Sequence, residues 1–179
     1  MVAPSGSCIG LLKVHYPDLL KDDPAWHARA LDLAQRSHEL LSFLDQVLGY
    51  RPTARYPGVA TYHDSCSGLR ELGVRAQPRQ LLRKVVDLQL VEMQEAETCC
   101  GFGGTFCMKY PDISARMATQ KVANIQASGA DTLLGGDLGC LLNISGRLTR
   151  LGQPVRVFHT AEVLAGMTEG PAIGEGSRR

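Results

Sequence analysis

The chain has 179 residues, of which 44% are hydrophobic and 21% are charged. This composition predicts a packed globular core and excludes wholesale disorder, because a disordered chain lacks the apolar residues to build one. The formal net charge of +1 provides no basic surface for nucleic acid, and no apolar run reaches the roughly 18–20 residues of a membrane helix.

The cysteine content points to metal or redox chemistry. The N-terminus has neither the basic nor the apolar region of a signal peptide, so the expected location is the cytoplasm. Thiols stay reduced there, and the six cysteines are therefore expected to bind metal or carry redox chemistry rather than form disulfides. Isolated cysteines also occur as small buried apolar residues, so their positions in the fold must decide.

A long amphipathic helix is predicted in the first part of the chain. Asp23-Pro24 is typical of a helix start, with aspartate as the N-cap and proline in the first turn. Apolar residues then recur with a period of roughly 3.6 residues as far as Leu48, and Gly49 ends the pattern. We expect residues 23–58 to form one helix and a connecting segment.

Strands and helices alternate in the remainder of the chain. The predicted strands are 59–62, 88–93, 132–134 and 155–158, and the predicted helices are 65–72, 80–86, 111–128, 140–151 and 161–165. This alternation indicates an α/β fold with a mostly parallel sheet flanked by helices. The tail, residues 166–179, is rich in Gly, Glu, Ser and Arg and is predicted to be disordered.

Four cysteines fall after predicted strands. Cys66 follows the first strand, Cys99 and Cys100 follow the second, and Cys140 follows the third. The carboxyl ends of parallel strands share one edge of the sheet, where ligands bind. Thiolates are good ligands for soft metal centres, and four of them suit either an iron–sulphur cluster or a structural zinc ion. The sequence therefore predicts a metal centre at this edge.

The vicinal pair is followed by a glycine-rich run, Gly101-Phe102-Gly103-Gly104. Glycine allows the backbone to bend tightly, which would bring N–H groups close to the sulphurs of a cluster and raise its reduction potential. An ordinary tight turn is the alternative interpretation of the same residues.

Three segments together resemble a known family. They resemble one copy of the cysteine-rich CCG domain over about residues 59–165. That domain occurs in heterodisulfide reductase, in the iron–sulphur subunit of glycolate oxidase and in the lactate-utilisation iron–sulphur subunit, and the likeness is greatest to the last. The segments are Thr61-Tyr62-His63-Asp64-Ser65-Cys66, Cys99-Cys100-Gly101-Phe102-Gly103-Gly104, and Gly136-Asp137-Leu138-Gly139-Cys140-Leu141-Leu142-Asn143-Ile144.

The resemblance implies a cofactor and a role. The cofactor is an iron–sulphur cluster, 4Fe-4S in the simplest reading, with Cys66, Cys99, Cys100 and Cys140 as ligands. Many relatives carry a fifth cysteine where this chain has Asn143, so a four-thiolate site is expected. The role is electron transfer, as one subunit of an oxidoreductase rather than a complete enzyme. Its partners would be the other subunits of a complex that oxidises L-lactate or a similar 2-hydroxy acid such as glycolate.

The N-terminal segment resembles part of a second copy. Relatives usually hold two copies in tandem, and Val2 to Cys8 look like the strand end and last cysteine of the first one. Residues 1–22 are therefore expected to be the end of an incomplete copy, in an N-terminally truncated chain. Cys8 is expected to be an orphan thiol. The predicted organisation continues with the helix and linker (residues 23–58), the CCG domain (residues 59–165) and the tail (residues 166–179).

Other polar residues near this edge have plainer interpretations. Cys107 is predicted to be a packed thiol rather than a ligand. His63 and His159 end strands, where each could donate a hydrogen bond to a cluster sulphur or be an ordinary polar residue of a loop. Asp64 and Asp137 are predicted to cap helices rather than act as bases.

Two other functions remain open from the residues themselves. One is a zinc-binding structural or interaction module, although zinc sites usually contain close Cys-x₂₋₄-Cys pairs. The other is a thiol–disulfide redox protein that uses Cys99 and Cys100, although the usual redox motif places two residues between its cysteines. The sequence contains neither a Rossmann fingerprint nor a P-loop, so nucleotide binding is not predicted.

Overall fold

The computed structural model describes residues 1–176. Within that range the larger of two parallel sheets has the strand order β4-β3-β5-β6, which places β3 and β5 at its centre. The smaller sheet pairs two short strands near the N-terminus. The strands are β1 (Val2–Ala3), β2 (His38–Glu39), β3 (Arg55–His63), β4 (Val86–Leu90), β5 (Thr132–Gly135) and β6 (Arg156–His159).

Helices cover both faces of the larger sheet, which confirms the predicted α/β fold. Leu134 and Phe158 pack in one apolar cluster, whereas Leu133 and Val157, their neighbours along the strands, pack in another. Because successive side chains of a strand face opposite sides, both faces are buried. The helices are α1 (Gly6–Gly10), α2 (Tyr16–Leu19), α3 (Pro24–Gln35), α4 (Leu40–Ser42), α5 (Cys66–Leu72), α6 (Ala76–Leu82), α7 (Phe106–Lys109), α8 (Pro111–Ala127), α9 (Leu138–Arg150) and α10 (Thr160–Leu164).

Two π-helical segments, Leu11–His15 and Phe43–Val47, continue α1 and α4. None of the helices in residues 1–176 is long and apolar enough to cross a membrane.

The single helix predicted up to Leu48 is wrong, because the structure has two helices there. The predicted start is confirmed: the Asp23 carboxylate caps α3 by accepting hydrogen bonds from the N–H groups of Ala25 and Trp26. α3 ends at Gln35, and the chain then passes through β2 into α4. A second helix begins because the Glu39 carboxylate accepts hydrogen bonds from the N–H groups of the next helical turn.

The predicted disorder of the tail stays a prediction, and two residues of its described part make defined contacts. Ala172 is buried, and the Ile173 N–H donates to the Val157 carbonyl at 2.8 Å. The Ser145 hydroxyl of α9 donates to the Ile173 carbonyl at 2.6 Å. One buried alanine and the backbone hydrogen bonds of Ile173 thus fix this part of the segment, although its overall composition is polar. Residues 177–179, which the same prediction covered, lie outside the described residues.

Candidate metal centre

Three strands of the larger sheet end in one row. His63 of β3 pairs with Gly135 of β5, and Gly135 pairs with His159 of β6. The loops and helix starts that follow strands lie beyond this row, as expected for a parallel sheet. They carry the four cysteines predicted as ligands, which are Cys66 at the start of α5, Cys99 and Cys100 in the loop after β4, and Cys140 in the first turn of α9.

The four thiols form a continuous series of contacts. Each thiol interacts with the next: Cys66 with Cys99, Cys99 with Cys100, and Cys100 with Cys140. Cys100 and Cys140 are buried, whereas Cys66 and Cys99 are half-buried. Residues that are far apart in the sequence are thus brought to one place, with one side of the group open towards solvent.

These contacts disfavour ionisation of the vicinal pair. The hydrogen bond to Cys140, followed by burial, raises the pKa of Cys100 to about 12. The hydrogen bond to Cys100, also followed by burial, raises the pKa of Cys99. Adjacent thiolates repel one another, and a cationic centre would offset this repulsion and displace the protons on binding. The raised pKa values argue against a reactive, low-pKa thiol at the vicinal pair.

The glycine-rich run makes a tight turn that directs backbone N–H groups to sulphur. The Gly101 N–H donates to Cys99 Sγ, and the Phe102 N–H donates to Cys100 Sγ, both at 3.4 Å. Gly101 has a φ of +86°, a conformation that L side chains rarely adopt. The run is therefore a tight turn, and this turn places its N–H groups next to the sulphurs of the vicinal cysteines.

His63 lies beside the thiols and was not among the predicted ligands. Its ligating nitrogen and the sulphurs of Cys100 and Cys140 all lie within 4.8 Å of one another. Burial, and secondarily the charge of Lys121, lowers the pKa of His63 to about 3, so its ring is neutral. Neutral imidazole is the form that binds metals.

A buried lysine next to the site was also missed. Lys121 of α8 is 1% exposed, and its Nζ donates to the carbonyls of Glu95 and Ala96 at 2.5 and 3.2 Å. It interacts electrostatically with Cys99 and Cys100, and burial lowers its pKa. A lysine within a long helix normally faces solvent, and no pattern in the sequence distinguishes this one.

The two remaining cysteines are not among the groups that shift the pKa values of Cys99 and Cys100. Cys8 is exposed on α1. Cys107 is half-buried, and its thiol donates to the Gly104 carbonyl at 3.2 Å.

The predicted helix caps are right for Asp137 and wrong for Asp64. Asp137 caps α9 by accepting a hydrogen bond from the Gly139 N–H at 3.2 Å. Asp64 is not a cap, because Ser65 holds the N-cap position of α5. The Asp64 carboxylate is fully buried and forms an ion pair with Arg79 of α6 at 2.8 Å. An arginine fifteen residues further on supplies this partner, which local sequence does not reveal.

Comparison with known proteins identifies relatives. The cysteine-rich domain family, CCG, matches residues 60–145. The chain is 46% identical to lactate utilization protein A of Oceanobacillus iheyensis over 171 residues, which are 95% of this chain and 70% of the relative. It is 48% identical to the protein of that name from Macrococcus caseolyticus, over 94% of this chain and 69% of the relative. It is 49% identical to the protein of that name from Geobacillus kaustophilus, over 92% of this chain and 69% of the relative.

Proposed function

We propose the following function for this chain, which belongs to the family of cysteine-rich CCG-domain proteins. It is an iron–sulphur subunit that transfers electrons in lactate utilization. The name of its relatives supports the role in lactate utilization. The observation that carries the cofactor assignment is the series of four contacting thiols at the carboxyl edge of the sheet.

The donor set fits such a cofactor. Thiolate sulphur is the usual ligand of iron–sulphur clusters. We assign Cys66, Cys99, Cys100 and Cys140 as the ligands of a cluster, 4Fe-4S in the simplest case. The sulphurs of Cys99 and Cys100 accept hydrogen bonds from the backbone N–H groups that follow the vicinal pair. When bound, the cluster would supply one-electron transfer, and the protein would set its potential and its access to partners.

The proposal assigns electron transfer to this chain and oxidation of the substrate to other subunits. A 2-hydroxy acid carries a carboxylate, for which an available arginine is the natural binding group. Arg79 lies in the cavity next to the cysteine loop, with Asp64, Glu92 and Thr98 in the same lining. Arg79 already forms ion pairs with the carboxylates of Asp64 and Glu92. It is therefore not available to bind the carboxylate of a substrate, which is why we assign substrate oxidation to other subunits. We place the complex in the cytoplasm, where the thiols would stay reduced before the cluster is inserted.

One observation favours a zinc site as a second candidate. The ligand atoms of His63, Cys100 and Cys140 are within 4.8 Å of one another. This is the scale on which the ligands of one ion are separated, because zinc–ligand bonds are about 2.0–2.3 Å long. Mixed histidine and cysteine ligation is also common for zinc.

Metal analysis distinguishes the two candidates. We expect the protein, purified and reconstituted anaerobically, to contain iron and acid-labile sulphide and to absorb broadly near ~400 nm, as thiolate-bound clusters do. Stoichiometric zinc without sulphide would replace the cluster proposal by the zinc site.

Growth on different carbon sources tests the substrate class. A strain that lacks the gene should grow poorly on L-lactate, and the wild-type chain should restore growth where Cys100→Ser does not. An equal or greater defect on glycolate would shift the substrate assignment to that acid. Normal growth of the deletion strain on lactate would contradict the assignment.

A further inference from the structure

The ring of His63 is buried without any hydrogen bond to the described residues. Its side chain is 1% exposed, and neither Nδ1 nor Nε2 has a partner. Among residues 1–176 these are the only buried side-chain nitrogen or oxygen atoms without a hydrogen bond. A buried polar atom without a hydrogen bond destabilises the folded state, so an orphaned ring needs an explanation.

A second histidine in the same row of the sheet shows the usual arrangement. His63 and His159 both pair with Gly135, from opposite sides. Both ring nitrogens of His159 have partners: Nε2 lies 3.0 Å from the Pro4 carbonyl, and Nδ1 accepts from the Ala161 N–H at 3.1 Å. The position at a strand end therefore does not by itself leave a histidine unsatisfied.

The neighbours of His63 are already engaged or are thiols. The Ala96 carbonyl accepts hydrogen bonds from the Asp64 N–H and from Lys121 Nζ, and it does not complete one with the His63 ring. The sulphurs of Cys100 and Cys140 also lie close to the ring, within 4.8 Å of its ligating nitrogen. A metal atom bound to those sulphurs would give the ring the partner that the protein does not provide.

We propose that His63 is a direct nitrogen ligand of the metal centre held by the cysteines. In a cluster it would be a fifth ligand beside the four thiolates, so that one iron carries two protein ligands; on a single ion it would bind together with Cys100 and Cys140. The inference rests on the proposed function only in requiring a metal centre there, whether a cluster or a single ion. A neutral imidazole adds no negative charge, unlike a further thiolate. Where histidines replace cysteines as ligands, as in Rieske centres, the reduction potential of the iron–sulphur centre is higher than that of an all-thiolate one.

Cobalt(II) tests the inference without depending on the cluster. It binds thiolate and imidazole ligands and reports them through its visible spectrum. Titrated anaerobically into the metal-free protein, it should bind His63→Leu at least about 10-fold more weakly than wild type, since losing even an outer-shell partner costs about 10–100-fold. The matched control is His159→Asn, which keeps a good helix N-cap and should bind cobalt as wild type does.

Stability of the metal-free proteins separates ligation from a structural role. Leucine fills much of the space of histidine and removes both orphaned nitrogens, so metal-free His63→Leu should unfold at a temperature no lower than wild type. If His63 were a structural residue, His63→Leu would lower the unfolding temperature of the metal-free protein and leave cobalt affinity unchanged. That outcome would overturn the proposal.

Nitrogen spectroscopy on the reconstituted protein gives the direct answer. With ¹⁵N-labelled histidine, pulsed electron paramagnetic resonance of the reduced cluster should show a strong nitrogen coupling in wild type and none in His63→Leu. A full complement of iron and sulphide with only weak coupling would place His63 as a hydrogen-bond donor and refute ligation, while leaving the proposed function intact. Absence of iron and sulphide with a His63-dependent cobalt site would refute the cluster and leave the ligand assignment standing.

Discussion

Gly101 combines a backbone φ of +86° with close packing against α8. A Cβ added there would lie 2.8 Å from the Ser114 carbonyl oxygen and 3.1 Å from Met117 Cβ. Gly101→Ala should therefore lower the free energy of unfolding by about 1–3 kcal/mol, because it combines a left-handed residue with a backbone clash. It should also lower the metal content, since the turn carries Cys100. Urea unfolding and metal analysis measure the two effects.

Gly104 provides the control for that substitution. It also has a positive φ, +60°, but a Cβ would meet nothing within 4 Å. Gly104→Ala should cost only the conformational penalty of about 1–2 kcal/mol and keep the metal. If both variants lose metal equally, the backbone turn rather than the packing of Gly101 determines the site.

At the scale of single residues, sequence reasoning located the cysteine group and not its surroundings. The cysteines were found because four thiols after successive strands must meet at one edge. His63 was left ambiguous, because a strand-end histidine looks the same whether its ring is satisfied, as in His159, or orphaned. The partner of Asp64 was missed because the ion pair depends on where the tertiary fold places α6 relative to the residue that follows β3.

At the scale of elements, ion pairs of Arg79 connect α6 to the residue after β3 and to the loop after β4. Its guanidinium donates to Asp64 at 2.8 and 2.9 Å and to Glu92 at 2.7 and 2.9 Å. Asp64 is fully buried and Glu92 is half exposed. The arginine thus holds the strand end next to His63 in place.

Removing this arginine should leave a buried carboxylate without a partner. We expect Arg79→Met to lower the free energy of unfolding by about 3–5 kcal/mol, the usual cost of breaking a buried pair. The double variant Arg79→Met/Asp64→Asn should recover part of the loss, because no charge is then stranded. Denaturant unfolding of the three proteins measures this, and an additive double variant would argue against the pair.

The ion pair of Glu92 should contribute little to the free energy of unfolding, and it should contribute only at a pH where the Glu92 carboxylate is ionised. Glu92→Gln should cost less than about 1 kcal/mol, because the pair is partly exposed. The hydrogen bond from Arg79 lowers the pKa of Glu92. Its contribution is therefore complete above the unfolded carboxyl pKa of about 4.3 and is lost as pH falls through the lower folded value. Denaturant unfolding of Glu92→Gln and of wild type should show the small difference in free energy of unfolding at pH 7 and a smaller one at pH 3.

Element boundaries were predicted less well than element types. The predicted helix 80–86 is α6 at 76–82, and the predicted strand 88–93 is β4 at 86–90. Apolar periodicity identifies an element but not its first residue, and Pro78 is compatible with the first turn of a helix. The helix predicted across residues 36–39 fails for the same reason, since the apolar pattern continues with Leu41 beyond the break.

At the scale of the whole molecule, the N-terminal segment packs against the cysteine-rich region. The Asp137 carboxylate accepts hydrogen bonds from the hydroxyls of Ser5 and Ser7 at 3.2 and 2.7 Å and from the Ser7 N–H at 3.2 Å. α1 also lies directly against α5, where Gly6 meets Gly68. The helix that carries Cys140 is therefore positioned partly by residues near the start of the chain.

Gly6 allows this close contact. A Cβ at Gly6 would lie 2.7 Å from the Gly68 Cα atom, which is backbone and cannot move aside. Gly6→Val should therefore cost about 1–3 kcal/mol through overpacking and lower the unfolding temperature. Gly146→Ala, in α9 with nothing within 4 Å of a Cβ, should be neutral or stabilising. A Gly6→Val protein as stable as wild type would show that the contact is loose.

The segment around Cys8 is similar in structure to the segment around Cys140. Cys8 is the third residue of α1, which follows β1, and Cys140 is the third residue of α9, which follows β5. Ser5 and Asp137 each cap the helix concerned. The two segments thus share a strand, a cap and a cysteine at matching positions.

The iron content of six Cys→Ser variants, reconstituted anaerobically, tests the central claim most directly. Serine is nearly isosteric with cysteine but is a poor ligand for a soft metal. The account predicts that iron is lost or greatly reduced when any of four contacting thiols is replaced, and is retained in Cys8→Ser and Cys107→Ser. Full iron in Cys140→Ser together with its loss in Cys107→Ser would contradict the ligand set, which is Cys66, Cys99, Cys100 and Cys140.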